Sequence, residues 1–203
     1  MNNLEDADPK EKTAWRESGK MIDVGVVYGR FQVLHLKHLE YILAAKMRCR
    51  KLYVGITFPD GSCIQEDSEM DEERKKSSNP LTYFERFEMI RDCLLDFKVP
   101  REAFDIIPFP IERPEYLRQY VPTDAVCFLS ICDEKTERNS ELLRNMGYTT
   151  EVLWRRDESE KGITGTQVRQ RILADEKWND LVPKSVYEYI ISNGIDNRIK
   201  YTK

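Results

Sequence analysis

The sequence predicts an α/β protein built on a doubly wound parallel sheet with helices on both faces. Three observations predict it. Buried-type apolar runs of strand length recur along the chain, the clearest being Val24–Val27 and Leu52–Thr57. Stretches of helical period separate them. The connection between the first two runs is a short crossover, and a β–α–β unit requires parallel strands with a right-handed connection. A Rossmann-like sheet of this kind places its ligand beyond the carboxyl ends of the strands.

Composition narrows the class. The chain has 203 residues, 40% apolar and 33% charged, enough for one domain with a substantial core. Its net charge of −4 gives no reason to expect nucleic-acid or membrane affinity. No apolar run approaches the ~20 residues of a membrane span, and residues 1–20 do not resemble a secretory signal. Five cysteines, Cys49, Cys63, Cys93, Cys127 and Cys132, are odd in number and lack metal-site spacing; they read as small core residues of a reducing cytoplasm. Residues 1–20 are expected to form a mobile polar extension, and residues 21–203 a single domain with a C-terminal helical segment.

The elements follow in order. Met21–Tyr28 is strand one, ending at Gly29, where a tight turn is possible. Arg30, Phe31 and Gln32 form a loop, and Leu36–Arg48 is helix one. Lys51–Thr57 is strand two. Residues 58–78 form a long loop whose acidic run (Glu66, Asp67, Glu69, Asp71, Glu72, Glu73) reads as a solvated surface, with a lid or metal role as the alternative. Asn79 and Pro80 lead into a helix with an expected apolar face of Leu81, Phe84, Phe87, Ile90, Leu94 and Leu95. Phe104–Phe109 is strand three, and Ile111–Tyr120 lies past its carboxyl end. Asp124–Ile131 is strand four, Glu137–Met146 a helix stopped by Gly147, and Tyr148–Trp154 strand five. A helix over Glu176–Asn193, with Pro183 near its start, closes the domain, and Ile195–Lys203 is expected to be a polar tail.

Two stretches carry the chemistry. In Val24–His38 (VGVVYGRFQVLHLKH) the only histidines, His35 and His38, sit three residues apart in the first turn of helix one. A helix N-terminus presents unsatisfied N–H groups and a partial positive charge, which suits phosphate. Metal ligation and ordinary surface placement are the alternatives, and no Cys or acidic cluster stands nearby at ligand spacing. In Lys161–Arg171 (KGITGTQVRQR), Gly162, Thr164, Gly165 and Thr166 make a hydroxyl-rich turn before a helix carrying Arg169 and Arg171. It reads as a second phosphate site or as a plainly capped helix.

Together these stretches resemble the two signatures of the nucleotidyltransferases of the cytidylyltransferase-like superfamily, GRFQPxHxGH and ISGTx[VI]R. Asn79–Leu94 (NPLTYFERFEMIRDCL) is similar to the NPFTxxERxxMI segment of archaeal-type nicotinamide mononucleotide adenylyltransferases. Val33 stands where the first signature has Pro, and Lys37 where it has the Gly of HxGH. The resemblance implies nucleotidyl transfer: a phosphate monoester attacks the α-phosphorus of a nucleoside triphosphate and pyrophosphate leaves. It implies His35, His38, Arg30 and Arg169 as catalytic residues. Tyr28, Gly29, Phe31, Lys37, Thr164, Gly165 and Thr166 would bind the nucleotide, and Arg86, Arg113 and Tyr116 the acceptor. Mg²⁺ would bridge the phosphates, held mostly by phosphate oxygen and water, with no protein metal site. The expected partners are a nucleoside triphosphate, a phosphorylated small molecule and further copies of the chain. ATP with nicotinamide mononucleotide, giving NAD, is the expected pair. Cytidylyl or adenylyl transfer to another phosphorylated or phosphonylated small molecule is the alternative, and a non-catalytic nucleotide-binding module is a second.

Overall fold

A computed structural model describes residues 21–64, 72–157 and 162–201. Val24, Val26 and Val27 begin the sheet as expected of β-branched residues: β1 (Ile22–Gly29) is its central strand. It is joined by β2 (Cys49–Ile56), β3 (Phe104–Pro108), β4 (Val126–Ile131) and β5 (Thr149–Arg155) in the order β3-β2-β1-β4-β5. Every pairing is parallel. The chain runs outward from β1 to β3, then crosses back to place β4 on its other side, so the order reverses between β1 and β4. Here β1 pairs with β2 at seven register positions but with β4 only at Gly25–Val126 and Val26–Cys127.

Alternate residues of a strand face opposite sides, and β1 follows that rule. Val27 enters a core shared with α1 (Leu36–Lys46), α2 (Tyr83–Asp96), α4 (Gly165–Leu173), α5 (Lys184–Ser192) and α6 (Ile195–Tyr201). Val26 enters a second core with β4 and Leu143 of α3 (Glu134–Asn145). Helices therefore cover both faces.

Several elements depart from the sequence-based expectation. The buried face of α2 is Arg86, Met89, Ile90, Cys93 and Leu94. Phe84, in contrast, is 65% exposed and Leu95 40%. Ile90 and Leu94 are buried as expected, as is Leu81 before the helix, but the stripe between them is headed by an arginine, which left Phe84 and Leu95 wrongly assigned to it. α3 begins at Glu134 rather than Glu137 because the Asp133 side chain accepts from the Thr136 amide at 2.8 Å and caps it. The expected helix over Glu176–Asn193 is confined to α5. Residues 195–201, expected as a polar tail, form α6, which buries Ile195 and Ile199. Its Arg198 forks onto Glu85 of α2 at 2.8 and 2.7 Å. Short 3₁₀ turns occupy Gly61–Cys63, Glu72–Arg74 and Lys76–Ser78 in the long loop. The expectations for residues 1–20 and for Glu66, Asp67, Glu69 and Asp71 lie outside the described residues.

Arg86 is 2% exposed and holds the ligand end of the sheet together. Its guanidinium donates to the carbonyls of Arg30 (3.0 Å), Thr57 (2.7 Å), Phe58 (2.8 Å) and Thr82 (3.2 Å). It thereby ties the loop after β1 to the loop after β2. Burial lowers its pKa to about 10, so it stays charged at neutral pH. Arg86→Ala should destabilise the fold by about 3 kcal/mol, since it leaves the buried Thr57 and Phe58 carbonyls without their guanidinium partner. Urea denaturation measures this; a loss below about 1 kcal/mol would deny Arg86 this role.

Candidate active site

The crevice lies where the strand order reverses, at the carboxyl ends of β1 and β4, as expected for an open α/β sheet. It has two lobes of ≈290 and ≈310 Å³. Tyr28, Gly29, His38, Thr136, Thr164 and Gly165 line both, so they form the waist between the lobes. Both sequence stretches meet at this waist.

His35 is the N-cap of α1 and His38 is its N3 residue. The two form a reciprocal capping box: His35 Nδ1 accepts from the His38 amide and His38 Nδ1 from the His35 amide, each at 3.4 Å. Their rings stack with centroids 3.6 Å apart. With Nδ1 accepting in each ring, the proton of the neutral imidazole belongs on Nε2. Burial lowers the pKa of His35 to about 3. Burial lowers that of His38 well below its usual value, and the neighbouring His35 and Arg30 push the same way. Phe31, fully buried at a φ of 52°, sets its ring edge-on to His38 at 5.0 Å.

The second stretch docks directly on the first. Gly165 opens α4 so close to the loop that a Cβ there would lie 2.5 Å from the Gln32 carbonyl oxygen. Arg169, 6% exposed, donates to that same carbonyl and, at 3.2 Å, to the Thr166 hydroxyl. Burial lowers its pKa to about 10, with Arg30 adding to the shift. Thr164 caps α4 by accepting from the Gln167 amide at 3.1 Å; the capped-helix reading therefore holds alongside its place in the crevice. Arg171 faces elsewhere, donating to the Lys177 carbonyl at 2.9 Å.

One lobe holds Arg30, Thr166 and Arg169 together with Lys135 and Asn139. The other is mostly apolar, lined by Tyr41, Leu129, Trp154 and Ile163, with His35, Lys37 and Arg156 among its polar members. Tyr28 stacks flat on Phe109 at 4.4 Å, and its hydroxyl bonds the Asn139 side chain. Lys135, Asn139, Trp154 and Arg156 went unrecognised as site residues in the sequence. The available signal was topological: β4 neighbours β1, so the segments after β4 and β5 had to flank the crevice.

Three candidates lie apart from it. Arg86 is directed at main-chain carbonyls. Arg113 pairs with Asp60 at 2.5 Å and lies over the Tyr116 ring at 5.5 Å. Arg113 and Tyr116 line a different hollow, with Pro59 and Gln119, beyond β3. Arg113 lies outside both lobes, paired with Asp60. Among the described residues no group of three or more His, Cys, Asp or Glu is placed to hold a metal ion, and Asp133, which lines one lobe, caps α3.

The buried imidazoles give a signed pH dependence. His35 has a usual pKa of 6.5 and a folded value near 3. Between those values the unfolded chain binds more protons than the folded one. The contribution to stability is complete above 6.5 and is lost as pH falls toward 3; His38 acts in the same sense. In urea denaturation, His35→Gln should lose less stability than the unaltered chain between about pH 7 and about pH 4.5. Parallel profiles for the two proteins would contradict a neutral buried His35.

With that geometry in view, comparison with known proteins is direct. The cytidylyltransferase-like family model matches residues 26–171, spanning both signature stretches. Phosphonoformate cytidylyltransferase of Streptomyces viridochromogenes is 41% identical over 87% of this chain and 95% of that protein. Nicotinamide-nucleotide adenylyltransferase of Saccharolobus solfataricus is 29% identical over 87% of this chain and 94% of that protein. Among solved structures, a bifunctional NMN adenylyltransferase/ADP ribose pyrophosphatase from Francisella tularensis superposes with a TM-score of 0.63 at 14% identity. That match covers 88% of this chain but only 53% of the bifunctional protein, and it supports the fold alone. The chain belongs to the cytidylyltransferase-like family and is a nucleotidyltransferase.

Proposed function

We propose that this nucleotidyltransferase moves a cytidylyl group from CTP to a small phosphonate or phosphate monoester. The observation that carries the choice is the 41% identity to a phosphonoformate cytidylyltransferase over 95% of that protein's length. The lobes support it. The apolar lobe suits a nucleoside, and the lobe with Arg30, Lys135 and Arg169 suits a compact polyanion.

In this reading an acceptor oxygen attacks the α-phosphorus at the waist, in line with the bond to the leaving pyrophosphate. Such a reaction needs positioning and charge stabilisation more than covalent help. His38 and His35 donate to α- and β-phosphate oxygens. The amides opening α4 and the Thr164 and Thr166 hydroxyls receive the β- and γ-phosphates. Arg169 and Arg30 balance the charge that builds on the transferring and leaving groups. Mg²⁺ would enter on the triphosphate, held by its oxygens and water.

A second reading is adenylyl transfer from ATP to nicotinamide mononucleotide, the pair expected from the Asn79–Leu94 segment. The archaeal adenylyltransferase relative favours it. Pyrophosphate release from CTP, ATP, GTP and UTP, each with phosphonoformate and with nicotinamide mononucleotide, separates the two. CTP with phosphonoformate should turn over fastest; fastest turnover with ATP and nicotinamide mononucleotide would overturn the proposal.

Site roles have their own test. His38→Ala should lower kcat by about 10²-fold or more while shifting KM for the triphosphate far less, as expected for a contact that strengthens in the transition state. Arg169→Lys should lose most turnover with its circular dichroism unchanged, because lysine keeps the charge but not the fork. Arg171→Ala should turn over near normally. Equal losses at 169 and 171 would show that the wrong face of α4 has been assigned to the triphosphate.

A further inference from the structure

Lys37 projects from the same helical turn as His35 and His38, and the structure shows what holds it. Its Nζ donates to Glu40 Oε2 at 2.8 Å. The other carboxylate oxygen, Glu40 Oε1, accepts from Arg156 Nη2 at 2.8 Å. The Arg156 guanidinium lies 4.4 Å over the Trp154 ring. Trp154 Nε1 donates to Ser130 Oγ at 2.6 Å, and Tyr41 meets the same indole edge-on at 6.3 Å. The Lys37 stem fills the gap to the approach of α4: a Cβ on Gly162 would lie 3.2 Å from Lys37 Cε. Four separate parts of the chain are thereby joined: α1, β4, β5 and the segment leading to α4.

This chain of contacts walls the apolar lobe, since Lys37, Trp154, Arg156 and Ser130 all line it. Both cations are committed to one carboxylate, and Arg156 followed by Lys37 holds the Glu40 carboxyl below its usual pKa. The wall is therefore braced at neutral pH.

We propose that the Lys37–Glu40–Arg156 bracket, braced on Trp154, sets nucleobase selectivity by admitting a single-ring base to the apolar lobe and excluding a fused purine. The proposal rests on the CTP reading. His35, Lys37 and His38 all line the apolar lobe, so in that reading Lys37 stands beside the nucleoside of a triphosphate held at the histidines. The bracket side chains are part-exposed, 40% for Lys37, 39% for Glu40 and 26% for Arg156, so a larger base meets resistance from three side chains tied to one another and to Trp154, not from close packing.

The experiment compares kcat/KM for CTP and ATP with a common acceptor in the unaltered chain, Lys37→Ala, Lys37→Gly and Glu40→Gln. The ratio of ATP to CTP should rise about tenfold or more in Lys37→Ala, and further in Lys37→Gly. Glu40→Gln, which releases both cations without shortening either, should move the ratio in the same direction. Titration calorimetry should show tighter ATP binding in the two Lys37 variants. A purely structural role would lower both rates together and leave the ratio in place. A ratio within about twofold of the unaltered chain in all three variants overturns the bracket and leaves the CTP reading standing. An unaltered chain that itself favours ATP overturns the CTP reading and the exclusion of purines with it.

Discussion

The site depends on one residue's hydrogen bonds. Gln32, 3% exposed, binds three stretches that lie far apart in the chain. Its side-chain amide exchanges two bonds with the main chain of Leu81, each 2.9 Å. Its own carbonyl receives Arg169 and is abutted by Gly165. The loop after β1, the entry to α2 and the start of α4 are thereby fixed to one another. Buried amides left without partners are costly, so each of these bonds requires the others. Arg86 performs a parallel task one layer away, gathering carbonyls from the loops after β1 and β2.

The crevice is cationic in a chain of net charge −4. Its charges are kept apart from overload by burial. The two imidazoles stay neutral, and Arg30 and Arg169 each stand close enough to affect the other's surroundings. The crevice thus carries fewer positive charges than its residue list suggests.

The sheet and both signature turns were legible because strand periodicity and glycine placement are local. The reading of the histidines was legible in place but not in detail. Sequence put them on one turn, whereas the structure makes them cap the helix as well as face the crevice. Arg86 was misplaced because a buried arginine satisfied by main-chain carbonyls leaves no pattern in sequence. The same charge concealed the buried face of α2. Arg113 and Tyr116 were placed by resemblance, and the structure sets both in a separate hollow beyond β3, with Arg113 paired to Asp60. Trp154 and Arg156 went unread because a wall built from α1, β4 and β5 exists only after the strands have been ordered.

The weak seam between β1 and β4 has a mechanical meaning. Two register pairs join them, and beyond Val26 the strands part. A plate is least stiff along its shortest joint. The narrowest joint of the sheet therefore runs into the crevice, between the half carrying Tyr28 and Gly29 and the half carrying Ser130 and Thr136. A ligand lining both edges would bridge that joint as a splint bridges a break.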